Sequence, residues 1–361
     1  MVIIEVMTAH NSLSDMLDAL TISARFAENL PDQRVRCYAC AHRCVLKPGQ
    51  RGVCKMRFNH AGELRVPWGY VTAANIDPIE KKPFMHFLPG ASAMTFGMLG
   101  CNFHCDFCQN WLSSQALRDP ASDGASRYIE KTSPQHLVSY AQRSAARIIA
   151  SSYNEPLITS EWAVDIFEPA RQAGLYCVYV SNGFATPEIL HALQPYLHGL
   201  KIDLKCMSDP HYRELGGSLQ VVLDTISLAH ALGIWVEVVS LIIPDFNDSN
   251  DELWNMSHFL AGVSPDIPWH VTAFYPTYKR LQTQPTSADI LLRAADIGQE
   301  AGLHYVYAGN LPGRVGSLEN TYCPHCNTLL IKRSGYHIRD YQITASGDCP
   351  KCGTKIAGIW G

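Results

Sequence analysis

The chain has 361 residues, of which 47% are hydrophobic and 17% charged, and its formal net charge is −4 at pH 7. The apolar content supports a large core and the charge density is too low for a disordered chain, while the near balance of charge offers no general attraction to nucleic acid or to an anionic membrane surface. No apolar run reaches the roughly 18–20 residues of a membrane span. Residues 1–7 are apolar but include Glu5 and lack a preceding basic region, so they read as a first strand or a frayed end rather than a signal peptide, and a cytoplasmic location is expected.

A helix is expected over 12–30, capped by Asn11 or Ser12 and stopped by Pro31. Residues 37–54 form a loop-rich segment around Pro48, Gly49 and Gly52, and 64–71 reads as extended chain. Pro67, Pro78, Pro83 and Pro89 then break the next stretch into a long irregular connection. From Ala93 short apolar strands alternate with helices. Strands are expected over 94–98, 147–152, 175–181, 199–204, 235–243 and 270–275, and helices over 134–145, 157–173, 187–194, 221–232, 251–260 and 287–301. Ser133 before Pro134 is a cap followed by a proline at the first helical position, and Gly174 and Gly233 are placed to end helices. This alternation implies an α/β fold, with a parallel sheet and right-handed crossovers. Six units favour an open, partial (β/α)6 barrel over a closed eight-unit one. The division expected is an N-terminal extension over 1–92, the barrel over 93–309 and a small metal-stapled module over 310–361. About 50 residues alone bury too little surface to be stable without such a staple.

Thirteen cysteines fall into three groups, leaving only Cys177 and Cys206 apart. In a reducing compartment, clustered cysteines are read first as metal ligands. The central group, Cys101, Cys105 and Cys108, has the spacing Cys-x3-Cys-x2-Cys and directly follows the first barrel strand. Three thiolates hold three corners of an iron–sulfur cube and leave the fourth iron free to chelate a small molecule through an amine and a carboxylate. A zinc site completed by His104 is the alternative, although structural zinc sites usually use cysteine pairs that recur far apart.

This run resembles the signature of the radical S-adenosylmethionine (SAM) superfamily. Tyr153-Asn154-Glu155-Pro156 resembles its motif for the SAM amino group, Ser181-Asn182-Gly183 the segment near the ribose and carboxylate, and Asp203-Leu204-Lys205 the Asp-Leu-Lys motif of the branch that includes glycyl-radical-enzyme activases. All three end predicted strands and would converge on one mouth. Pro78-Ile-Glu-Lys-Lys-Pro83, His86-Phe-Leu-Pro-Gly90, Cys108-Gln-Asn-Trp111 and the flanking cysteine groups further resemble the AmmeMemoRadiSam-system radical SAM enzymes, from about Cys37 to the end of the chain. The resemblance implies a 4Fe–4S cluster on Cys101, Cys105 and Cys108, with SAM bound by Asn154, Glu155, Ser181 and Asn182. It places Phe107 near the adenine, and Asp203 and Lys205 near the carboxylate end or the substrate.

The N-terminal group is Cys37, Cys40, Cys44 and Cys54, which suits either zinc or an iron–sulfur cluster. The C-terminal group, Cys323, Cys326, Cys349 and Cys352, is two Cys-x2-Cys pairs 22 residues apart. That is a zinc-ribbon pattern with a rubredoxin-like iron as the alternative, and a hairpin is expected near Ser334-Gly335. Cys177 reads as a small buried hydrophobe, Cys206 as a non-catalytic residue at the mouth with a substrate-facing thiol as the alternative, and His270 as either a core histidine or a substrate contact.

The expected activity is reductive cleavage of SAM to a 5′-deoxyadenosyl radical, which abstracts hydrogen from a small-molecule or peptide substrate. A one-electron donor protein supplies the electron. The alternatives are an activase that installs a glycyl radical on a partner protein and a non-catalytic zinc protein.

Overall fold

The computed structural model describes residues 12–361, so the expected strand over 1–7 and the cap at Asn11 lie outside the described residues. The first helix is much shorter than its apolar pattern suggests. It runs Leu13–Asp18, closed by a capping box in which Ser12 and Asp15 bond each other's backbone. The chain beyond it pairs instead: Thr21–Ser23 lies antiparallel to Glu63–Pro67, and Ala27–Asn29 to Val35–Cys37. Pairing partners supplied by distant chain outweigh a local helical preference.

Eight strands form the main sheet: β1 (Ala73–Pro78), β2 (Ser92–Gly97), β3 (Ile148–Ser151), β4 (Tyr176–Ser181), β5 (Gly199–Asp203), β6 (Trp235–Ile242), β7 (Trp269–Ala273) and β8 (Val306–Gly309). They lie side by side in sequence order, parallel from β2 to β8, with β1 antiparallel along the edge of β2. The sheet is open, since β1 and β8 are not paired with each other. Besides the single turn Trp111–Ser114, the helices between the parallel strands are α1 (Pro134–Arg143), α2 (Ser160–Gln172), α3 (Pro187–Leu193), α4 (Asp209–Glu214), α5 (Leu219–Ala231), α6 (Asn250–Val263) and α7 (Ala288–Glu300).

The six expected strands are all present. Two more were not anticipated. β1 occupies the stretch read as irregular, with Pro78 closing it at the sheet edge, where a missing amide costs nothing. β8 carries Val306-Tyr-Ala-Gly309 onto the far edge beside β7.

The largest apolar core runs from the N-terminal segment through the barrel. At the other end of the strands, Phe84 and Phe87 pack on Ile148 and Val178. A third core joins Tyr305 and Tyr307 to Leu330, Ile331 and Ile356 of the C-terminal module. That module is a three-stranded antiparallel sheet whose hairpin, Leu329–Ser334 and His337–Tyr341, turns where expected. No helix among the described residues is long and apolar enough to cross a membrane.

Candidate active site

Side chains alternate across a strand, so residues at i and i+2 share a face. On the inner face this alternation brings Val180 and Asn182, Lys201, Asp203 and Lys205, Val239 and Leu241, and His270 and Thr272 into one cavity of about 480 Å3. The same cavity is lined by Cys101, Cys105 and Cys108, by Phe107, and by Asn154, Glu155 and Ser181. Every residue assigned from sequence to the central cluster or to SAM therefore lines a single space. His104 does not line it, and its ring lies against Gly216 instead.

The cysteine loop is set by Gly100 at φ +93°, a left-handed conformation in which any added Cβ would collide with Met56 and lie 3.1 Å from Ile158 Cδ1. The thiols have polar neighbours. The Phe103 amide donates to Cys101 Sγ at 3.3 Å, Asn182 Nδ2 lies 3.9 Å from the same sulfur, and Ser114 Oγ is 3.2 Å from Cys108 Sγ. Burial pushes all three thiols up, Cys105 to about 12. Ionised thiolates here need a bound metal to stabilise them.

Glu155 is fully buried just after β3. Burial pushes its carboxyl up to about 7, against the pull of its hydrogen bonds. Its oxygens accept from Ser181 Oγ at 2.7 Å and from the amides of Asn182 at 2.8 Å and Leu157 at 3.0 Å. Asn154 Oδ1 accepts from the Met98 amide at 3.0 Å, tying the second motif to the cysteine strand. Asp203 sits between two lysines, bonded to Lys201 and, at 2.9 Å, to Lys205. Burial works against its charge, but the two cations outweigh it and hold the carboxyl down to about 2.

Sequence reasoning missed several lining groups. Lys201 carries the same i, i+2 signal as Asp203 and Lys205, so it was there to be read. Lys82, which bonds Asp77 at 3.0 Å and lies over the Tyr153 ring at 4.6 Å, gave no periodic signal because it sits between β1 and β2. His270 lines the cavity and bonds Glu237 at 2.7 Å, which gives it the satisfied partner of a core histidine. Cys177 is buried, and Cys206 is buried outside the cavity lining.

Over 336 residues the chain is 39% identical to MJ0808, an uncharacterized protein of Methanocaldococcus jannaschii, covering 92% of this chain and 98% of that one. A family model described as the radical SAM superfamily matches residues 96–260, which contain the cysteine loop and all three strand-end motifs. The chain belongs to the radical SAM superfamily. Two solved radical SAM structures are similar at low identity. A radical SAM methyltransferase from Sphaerobacter thermophilus is 14% identical, with 67% of this chain and 71% of that one covered and a TM-score of 0.47. A domain of a pyruvate-formate lyase-activating enzyme from Bacteroides vulgatus is 20% identical, with 45% and 98% covered and a TM-score of 0.39.

As a radical SAM enzyme, the protein works with SAM and an iron–sulfur cluster. The residues present fit that pair. Three thiols, Cys105 buried and Cys101 and Cys108 partly so, line one cavity, no other cysteine lines it among the described residues, and Asn102 Nδ2 beside Cys101 is buried without a partner. The C-terminal cysteines form a different kind of site. All four sulfurs lie within 4.8 Å of one another, at the tips of two matched turns. In each turn a left-handed residue, Asn327 or Gly353, precedes a threonine whose hydroxyl lies 3.2 Å from a cysteine sulfur.

Proposed function

We propose that the protein reductively cleaves SAM and uses the resulting radical to take a hydrogen atom from a small-molecule or peptide substrate. The observation that carries this reading is the shared cavity, in which three thiols and every strand-end motif face one another. When bound there and reduced, a 4Fe–4S cluster supplies one electron to the SAM sulfonium, releasing a 5′-deoxyadenosyl radical.

The chain's own part is binding, orientation and exclusion of water. Cys101, Cys105 and Cys108 hold the cluster. Glu155 and Asn154 receive the SAM amino group. Glu155 is suited to this because its existing donors fix its orientation and leave lone pairs free. Ser181 and Asn182 face the ribose and carboxylate, and Phe107 the adenine. Lys205 supplies a cation that Asp203 keeps protonated, which suits a carboxylate. Cys323, Cys326, Cys349 and Cys352 hold zinc, whose bonds of about 2.3 Å to sulfur suit thiols this close together.

The test is anaerobic reconstitution followed by incubation with SAM and dithionite, with 5′-deoxyadenosine measured by mass spectrometry. The native chain is expected to make it and the C101A/C105A/C108A variant to make none. Product from the triple variant would overturn the assignment. Incubation with a candidate glycyl-radical partner, read by electron paramagnetic resonance (EPR), separates this reading from an activase.

A further inference from the structure

The N-terminal cysteines converge on a second, separate cavity, lined by Cys37, Cys40, Cys44 and Cys54 with Arg57 and Ile158. Three of the four are buried, and Cys44 is the most exposed. Their spacing differs from that of the C-terminal set. A single tetrahedral zinc brings sulfurs to about 3.8 Å of one another, and the C-terminal four are gathered on that scale. Among the described residues the N-terminal four form no such tight group, and neither do Cys101, Cys105 and Cys108. A cubane holds its thiolates on separate corners, further apart than one ion does. The N-terminal sulfurs thus line one cavity without closing to the spacing of a single ion.

The two sites are also wired together. Arg118 Nη2 donates to the Val53 carbonyl at 2.8 Å and to the Cys101 carbonyl at 3.1 Å, and its Nη1 donates to the Phe103 carbonyl. One guanidinium therefore spans the residue before Cys54 and the first central cysteine. Within the Cys40–Cys44 loop, His42 Nε2 lies 3.1 Å from the Asn102 carbonyl, and the Ala41 amide bonds the Phe184 carbonyl at 3.0 Å. Met56 and Ile158 pack between the two loops at Gly100.

We infer that Cys37, Cys40, Cys44 and Cys54 hold a second 4Fe–4S cluster, which relays electrons to the SAM site through the contact made by Arg118. The balance is one electron per turn. An external low-potential one-electron donor is oxidised, the second cluster is reduced and then reoxidised, and the acceptor at Cys101, Cys105 and Cys108 gains the electron. No bond forms or breaks in the relay. The relay rests on the proposed SAM chemistry, whereas the presence of the second cluster can be tested without it.

The first experiment uses the full-length C101A/C105A/C108A variant, reconstituted anaerobically. It is expected to retain about four irons and four acid-labile sulfides per chain and a reduced-cluster EPR signal that disappears when Cys40 and Cys54 are also changed to Ser. Zinc at the N-terminal set with no sulfide overturns the inference, whatever the native enzyme does with SAM. The second experiment compares 5′-deoxyadenosine formation driven by a flavodoxin hydroquinone with that driven by dithionite. In the C40S/C54S chain the ratio of the two rates should fall at least tenfold. In Arg118→Met, with full iron content, it should fall severalfold. An unchanged ratio in both variants overturns the relay. Equal loss of both rates does so too, since it assigns the segment a purely structural role.

Discussion

Asp203 is the residue on which the charge balance of the cavity turns, with one carboxylate serving the buried Lys201 and the partly buried Lys205. Asp203→Asn leaves Lys201 and Lys205 as like charges in a poorly solvated space, so the variant should lose about 3–5 kcal/mol if it folds with both charged. The neutral-pH urea midpoint reads this, and Lys201→Met in the same chain should restore part of the loss. His86 gives a pH signature. Burial pushes it down to about 4 despite the nearby Glu237. The network assigns its proton to Nδ1, which donates to the Ala357 carbonyl at 2.7 Å, so that Nε2 accepts from Tyr307 Oη at 2.6 Å. The folded value lies below the unfolded one of about 6.5, so the unfolded chain takes up the proton first as pH falls. Stability present at neutral pH should drain away between about 6.5 and 4, with about 2 kcal/mol lost between pH 7 and 5. His86→Gln should flatten that part of the urea-midpoint profile by the same amount.

Among the elements, the tie between the N-terminal segment and α2 is a buried ion pair. Arg57 bonds both oxygens of Glu161 and also donates to the Ile158 carbonyl at 2.8 Å, with both side chains almost wholly out of solvent. Removing one partner strands the other, so Glu161→Gln or Arg57→Met should cost about 3–5 kcal/mol, while the double change to apolar residues should cost less than the sum. Denaturation midpoints of the three variants check this. Legibility in the sequence follows the range of the forces involved. The six inner strands are buried, read as apolar runs, and were found from them. β1 was missed because an edge strand tolerates the prolines that argue for a loop. The helix over 12–30 was overdrawn because its partners, Glu63–Pro67 and Val35–Cys37, are invisible to local periodicity. Cysteine spacing made every thiol of the site legible, while Arg118, Lys82 and Glu237 act through long-range contacts that no spacing encodes.

For the whole molecule, the C-terminal module seals the floor of the barrel. The Leu88 amide bonds the Ile359 carbonyl at 2.7 Å, Arg333 Nη2 donates to the Met85 carbonyl at 2.8 Å, and Trp360 packs near His86. Stripping the zinc proposed for its four cysteines with a mercurial and a chelator should therefore lower the melting temperature of the whole chain and not only of the last 50 residues. Calorimetry would read a single shifted transition rather than two. The order of the sheet has its own consequence. Since each strand lies beside its neighbour in the chain, no pairing within the main sheet has to close a loop longer than one connecting unit, which keeps the entropy of closure low for a sheet this wide.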